Sequence, residues 1–281
     1  MKKSHKLLIG VGLVSLFSLG ILVGKHGDAD ERKIYIPSAG IREKLVMEIG
    51  DAEENNLVEN ELPTSLQLSQ IEKDHMIIQN KQNDAGTNYE KVFSLDGLQE
   101  VKNTKGISLL MFNNVIDYRP LGEMTNLEHI QLYFDTSDSD SAVKKPVDVS
   151  FVEKLKKLRI FDGGGLPVLD LTPFNTLDNI EQVFMSGTVE GGAPIAVSKK
   201  NKSAIVGNPV TYSKQFDHAI LKVGAYDLDG NEVPVTVSGD NFFVSGINEE
   251  ANALTFEIEK TDPENNYISH TLRYTCPISW Y

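Results

Sequence analysis

Leu121-Gly122-Glu123-Met124-Thr125-Asn126-Leu127-Glu128-His129-Ile130-Gln131-Leu132 decides how this chain is read. Its apolar residues stand at Leu121 and then three, six, nine and eleven positions later. The last two, Ile130 and Leu132, alternate with His129, Gln131 and Tyr133 as in a half-buried strand. Self-similarity at a fixed period marks stacked repeats, and the same offsets recur elsewhere in the chain. From Leu98 they give Val101, Thr104, Ile107 and Leu109. From Val152 they give Leu155, Leu158, Phe161 and Gly163; from Phe174, Leu177, Ile180, Val183 and Met185. Eighteen of these twenty slots are apolar, against about eight expected from a chain that is 40% hydrophobic. The starts lie 23, 31 and 22 residues apart, which places an insertion at 136–145 in the second unit.

A second signature runs in phase. Asp117, Asp148 and Asp170 each precede a start by four residues, and two of these units read Asp-x-x-Pro-apolar. Asp and Pro set turns, so each unit reads as a short strand that returns through a turn and an irregular or helical segment. One such unit cannot bury its own apolar face, and neighbours must stack.

Outside the repeats the pattern changes twice. Before them, Ile41, Leu45, Val46 and Ile49 recur at helical spacing, with Ser38 as N-cap and Gly50 ending the run. A second polar-to-apolar passage runs from Asn55 to Ile78, and residues 80–91 read as a loop. After the repeats, the period becomes two. Leu254, Phe256 and Ile258 alternate with Thr255, Glu257 and Glu259; Leu221, Val223 and Ala225, and Leu272, Tyr274 and Cys276, do the same. With Asp229-Gly230 as a hairpin signal, this predicts a β-sandwich of six or seven strands.

The N-terminus carries Lys2, Lys3 and Lys6, then an uncharged, almost wholly apolar run over Leu7–Val23, then charged residues. That order is a signal peptide or an uncleaved signal anchor, and the sequence leaves both open. It predicts an exported protein, either secreted or held at the cell surface, touching a membrane only through this segment if it is retained. No Cys stands directly after the run, and no apolar tail with a basic stop precedes Tyr281, so neither a lipid-modified Cys anchor nor a sortase-type wall anchor is expected.

Net charge is −13, from 40 Asp and Glu against 27 Lys and Arg, so polyanions are poor partners and no nucleic-acid function is expected. The single cysteine, Cys276, excludes an intrachain disulfide and a Cys-based metal site. The six histidines show no metal-ligand spacing, and no nucleophile elbow or phosphate-binding loop occurs. No catalytic set, cofactor or metal is therefore expected. Asp135, Asp138 and Asp140 in the insertion, and Asp227, Asp229 and Asn231, are weighed against calcium and read as a solvated loop and a hairpin turn.

Three segments carry a resemblance. Ser94-Leu95-Asp96-Gly97-Leu98, the Asp-x-x-Pro-Leu unit with Thr125-Asn126-Leu127, and Asp148-Val149-Ser150-Phe151 resemble the internalin-type leucine-rich-repeat proteins of Gram-positive surfaces. Ile34-Tyr35-Ile36-Pro37, the helix at 41–49 and Val58-Glu59-Asn60-Glu61-Leu62 resemble that family's helical N-terminal cap. The chain departs where the family's Asn follows each strand: Phe112, Asp135, Leu166 and Thr188 stand there, and Gly163-Gly164-Gly165 weakens the third strand. The resemblance implies a mixed α+β fold: a helical cap with a short leucine-rich-repeat solenoid, followed by an all-β immunoglobulin-like sandwich. The expected divisions are 1–23 signal segment, 24–33 tether, 34–92 cap and loop, 93–190 repeats and 191–281 sandwich.

The resemblance also implies adhesion-type binding of a protein partner through the concave repeat face; the alternative is a membrane-tethered envelope component binding the cell's own proteins. Alternation puts Leu110, His129, Gln131, Tyr133, Ile160 and Phe184 on that face. Leu110, Tyr133, Ile160 and Phe184 are expected to form an apolar streak there, where a solvated sheet should be polar.

Overall fold

The computed structural model describes residues 32–52, 62–81, 91–134 and 144–281. The signal segment, nearly all of the tether, residues 55–61 of the Asn55–Ile78 passage, most of the 80–91 loop and the Asp135–Asp140 cluster lie outside the described residues.

Two of the repeat offsets, nine and eleven, become ladders. Strands β1 (Met76–Gln79), β2 (Gly106–Leu110), β3 (His129–Tyr133), β4 (Ile160–Gly164) and β5 (Gln182–Val189) lie parallel in chain order. Met76, Ile107, Ile130, Phe161 and Val183 stand side by side, and so do Ile78, Leu109, Leu132, Gly163 and Met185. The starts Leu98, Leu121, Val152 and Phe174 lie behind them with no exposed surface. An aromatic file runs through this core: Phe161 meets Phe174 edge-on at 5.1 Å and Phe151 at 6.4 Å.

The returns are short because their residues favour turns. Asp117, Asp148 and Asp170 each accept a hydrogen bond from the backbone N–H two residues on, at 3.0, 2.8 and 2.9 Å. The turns that follow are α3 (Arg119–Gly122) and 3-10 segments at Ser150–Lys154 and Thr172–Thr176. Asn126 and Asn179 donate to the carbonyls of Lys102 and Lys156 in the preceding unit, at 2.8 and 3.1 Å, tying one return to the next. Where the family's Asn is missing, Phe112 and Leu166 are buried and fill the turns with apolar surface.

The N-terminal part holds α1 (Ala39–Ala52), capped by Ser38, whose Oγ accepts from the Ile41 N–H at 3.3 Å. Helix α2 (Ser65–Gln70) follows, with Thr64 and Gln67 forming a capping box. After β5 come β6 (Ile195–Val197), β7 (Ser203–Gly207), β8 (Ile220–Asp227), β9 (Val235–Ser238), β10 (Asn241–Ser245), β11 (Ala253–Thr261) and β12 (Ile268–Trp280). Strands β7, β10 and β9 make a small antiparallel sheet, and Phe242 of β10 meets Phe256 of β11 at 5.9 Å.

The expected fold class is corrected here. Among the described residues the chain is mostly β: twelve strands and three α-helices, the longest of 14 residues and the others of six and four. It does not fit a helical cap with a leucine-rich-repeat solenoid leading into a separate sandwich. The helical segments within the returns span only three to five residues each, about a single turn, so no repeat contributes a sustained helix. The segment before the repeats does not stand apart as a helical cap, because β1 joins the main sheet. The alternating segment does not stand alone either. Strand β12 pairs in parallel with β5 and antiparallel with β11, so one nine-stranded sheet runs from β1 to β8.

At that seam His270 of β12 is fully buried. Its Nε2 donates to the Val168 carbonyl at 3.1 Å, and its Nδ1 lies 3.5 Å from the Tyr212 hydroxyl. Cys276, further along β12, is buried, which pushes its thiol up to about 11. Among the described residues no helix is long and apolar enough to cross a membrane.

Candidate functional site

The outward side of the parallel strands is built row by row from strand register. One row reads Ile77, Ser108, Gln131, Asp162, Phe184 across β1 to β5. The next reads Gln79, Leu110, Tyr133, Gly164, and a third holds Gly106, His129, Ile160 and Gln182. All six residues expected to bind a partner therefore lie on this side. The structure does not bring the four apolar ones into a single streak: Leu110 and Tyr133 share a row, while Ile160 and Phe184 occupy two others.

A connected polar chain runs through the middle instead. His75, just before β1, has Nε2 2.8 Å from Ser108 Oγ. Ser108 Oγ donates to Gln131 Oε1 at 2.8 Å, and Gln131 Nε2 donates to Asp162 Oδ2 at 3.3 Å. The polarity follows from the ends. Asp162, as a carboxylate, can only accept, so the Gln131 amide group turns its NH2 toward it and its oxygen toward Ser108. Ser108 gives its proton to that oxygen and accepts from His75 Nε2–H. A nucleophilic serine would need the reverse, with histidine accepting its proton. The arrangement orders side chains and does not activate Ser108.

Gly106 makes the chain possible. A Cβ on it would lie 2.3 Å from His75 Nδ1 and 3.0 Å from the Asp74 carbonyl. The missing side chain lets the His75 ring lie beside His129, with centroids 4.8 Å apart. Burial, then the charge of His75, pushes the His129 imidazole below its ordinary value, with Asp162 pulling the other way. Gly106→Ala is expected to swing His75 off Ser108, and the His129 titration, followed by NMR, should then move up toward pH 6.5. An unmoved His129 would show that His75 does not hold it down.

Two large apolar side chains stand in the open beside this chain, Phe184 at the end of its row and Tyr133 in the next. Tyr133 is 48% exposed and Phe184 40%. The Tyr133 ring leans over Gly164, where a Cβ would lie 3.3 Å from its Cδ2. Glycine here weakens the strand less than composition implies, since β4 continues through Gly164.

Among the described residues no group of three or more His, Cys, Asp or Glu is arranged to hold a metal. Asp227 holds a turn: its Oδ1 accepts from the N–H groups of Asp229 and Asn231, and Gly230 takes a left-handed φ of 83°. Sequence reading missed His75 because β1 was not recognised as a strand. Alternation also puts Ser108 and Asp162 outward, but spacing alone does not connect them. The usable signal was the register, which sets Ser108, Gln131 and Asp162 in one row.

No family model matches the chain. No curated protein matches it in sequence. Among solved structures it is similar to the CBM51-2 and INT domains of Clostridium perfringens ZmpB, solved in complex with GlcNAc. That match has 13% identity, covers 89% of this chain and has a TM-score of 0.32. This chain spans 37% of the length of that one. Two internalins are also among its weak structural neighbours. Internalin C2 from Listeria monocytogenes matches at 15% identity over 57% of this chain and 80% of its own, TM-score 0.25. InlP of Listeria monocytogenes matches at 8% identity over 87% and 97%, TM-score 0.25.

Proposed function

We propose that this chain is an exported surface protein that binds a protein partner through the outward face of β1 to β5. One observation supports it most: two exposed rings border an ordered polar chain, Phe184 at the end of its row and Tyr133 in the row beside it. Aromatic anchors with few rotatable bonds bury large area at low entropic cost, and they dominate binding at protein interfaces. Side chains already fixed by hydrogen bonds, as Ser108 and Gln131 are, lose little further freedom when a partner docks. Leu110, His129, Gln131 and Ile160 complete the contact surface around the two rings. The net charge of −13 favours a basic partner. Export rests on the basic start and the apolar run over Leu7–Val23.

Two measurements test this. A photo-crosslinking amino acid in place of Tyr133 should label a discrete protein, while the same probe at Glu153, on a return, should not. Tyr133→Ala and Phe184→Ala should each weaken that complex by roughly 2 kcal/mol, about thirty-fold. Equal labelling from both positions, or full affinity in the double variant, would overturn the reading. The N-terminal mass of the mature protein separates the two forms of export: loss of about the first 24 to 29 residues means secretion. An intact N-terminus in the membrane fraction means a tethered envelope component.

A further inference from the structure

The outward face does not end at β5. Beyond it the sheet continues through β12, β11 and β8, and a cleft of about 520 Å³ opens over their outward side. Its floor is two rows in register: Thr271, Glu259 and Lys222, then Arg273, Glu257 and Gly224. Ser186 and Thr188 of β5 stand beside Thr271 and Arg273 and form one wall. Tyr226 forms part of the other, its ring lying over Gly224, where a Cβ would be 3.1 Å from Cε2.

The charges in this cleft behave unlike those elsewhere on the surface. Arg159 and Glu181, both about half exposed, close a two-pronged pair at 2.9 Å. Lys214 and Asp178 close at 2.9 Å although Asp178 is 87% exposed. In the cleft, Glu257 is the cross-strand neighbour of Arg273, and Glu259 that of Lys222. Neither couple forms an ion pair or hydrogen bond among the described residues. Two cations and two carboxylates thus face the opening without ion pairs, and among them only Glu259 carries a side-chain hydrogen bond, accepted from the Thr261 hydroxyl at 3.4 Å.

That floor selects by charge and by hydrogen-bond type. Its formal charge is zero, so a charged ligand meets as many like charges as opposite ones. Arg and Lys only donate and carboxylates only accept, alternating from strand to strand; a ligand matched to both must donate and accept at closely spaced points. Vicinal hydroxyl groups do this, each offering one proton and two lone pairs. An aromatic ring at the wall adds an apolar surface for the C–H face of a sugar ring, and the volume lies in the range of small-ligand sites. We propose that this cleft binds a short neutral saccharide, held by Arg273 and Glu257 with Tyr226 against its ring. This goes beyond the protein-binding reading and uses none of its anchor residues.

Calorimetric titration of the full chain with maltotriose, cellotriose and chitotriose tests it, with the tetrapeptide Gly-Lys-Glu-Gly as the charged comparison. Saturable binding of at least one trisaccharide is expected. Arg273→Gln, Glu257→Gln and Tyr226→Ala should each weaken it tenfold or more, the two glutamine variants without changing the melting temperature, as Arg273 and Glu257 are exposed. Tyr133→Ala should leave it unchanged. Three results would overturn the proposal: no saturable binding of any trisaccharide, binding of the peptide alone, or trisaccharide binding that survives both glutamine substitutions. A loss caused by Tyr133→Ala would place the saccharide on the other surface and overturn it too.

Discussion

Phe161→Ala is expected to lose about 4 kcal/mol of stability, read as a lower urea midpoint at unchanged slope. Phe161 has no exposed surface and stands in β4 between Ile130 and Val183. Truncation removes the transfer free energy of the ring and leaves a cavity that strands on both sides hold open. It also removes edge-on contact with Phe174 at 5.1 Å and tilted contact with Phe151 at 6.4 Å, each worth about 1 kcal/mol. Phe161→Leu should lose far less, because most of the volume is kept. Phe243→Ala supplies the contrast: that ring is 42% exposed on the small sheet, and its loss should change stability by under about 1 kcal/mol. If the two alanine variants melt together, the aromatic file is not what holds the ladder.

Acid should weaken the seam between β5 and β12. Burial pushes the His270 imidazole from 6.5 down to about 4, with the Val168 hydrogen bond opposing. The folded protein therefore binds fewer protons than the unfolded chain between those values. The contribution of a neutral His270 is whole above pH 6.5, falls as pH drops, and is gone near pH 4. The full span is on the order of 3 kcal/mol. His129, also lowered, adds in the same direction. Carboxylates lowered by ion pairs, such as Asp117 beside Arg119 and Glu181 beside Arg159, lose theirs only below their ordinary values of 3.8 and 4.5. Unfolding in urea at pH 7 and pH 4.5 separates the terms. His270→Gln keeps a donor for the Val168 carbonyl and cannot titrate, so its stability should change much less between the two pH values. An equal drop in both proteins would remove His270 as the cause.

Much of the ladder was legible in the sequence. Apolar offsets of nine and eleven located β2 to β5 and set Ile107, Ile130, Phe161 and Val183 abreast. The fold class was not legible, for two physical reasons. The apolar period specifies what is buried, not how the chain returns, and the Asp-initiated returns closed in single helical turns of four or five residues. Alternation in 254–258 and 272–276 specifies a strand with one wet face, not the strand it pairs with; β12 found β5. Strand β1 escaped notice because Met76-Ile77-Ile78 is three apolar residues in a polar setting, and alternation appears only once Ile77 is seen to face out, 55% exposed. With β1 missing, His75 had no place, and the polar chain it heads could not be assembled.

The place of β12 has a consequence for biosynthesis. Strands β1 to β5 can be laid down in the order in which the ribosome delivers them, each on the one before. The far edge of β5 then waits through some eighty residues of further synthesis until 268–280 arrive to cover it. Throughout that interval a row of unsatisfied backbone groups stands open, able to recruit any extended chain, including a sister copy. The nascent protein is thus most prone to misassembly late in its production, and a chaperone that shields β5 would matter more than one acting on the first strands.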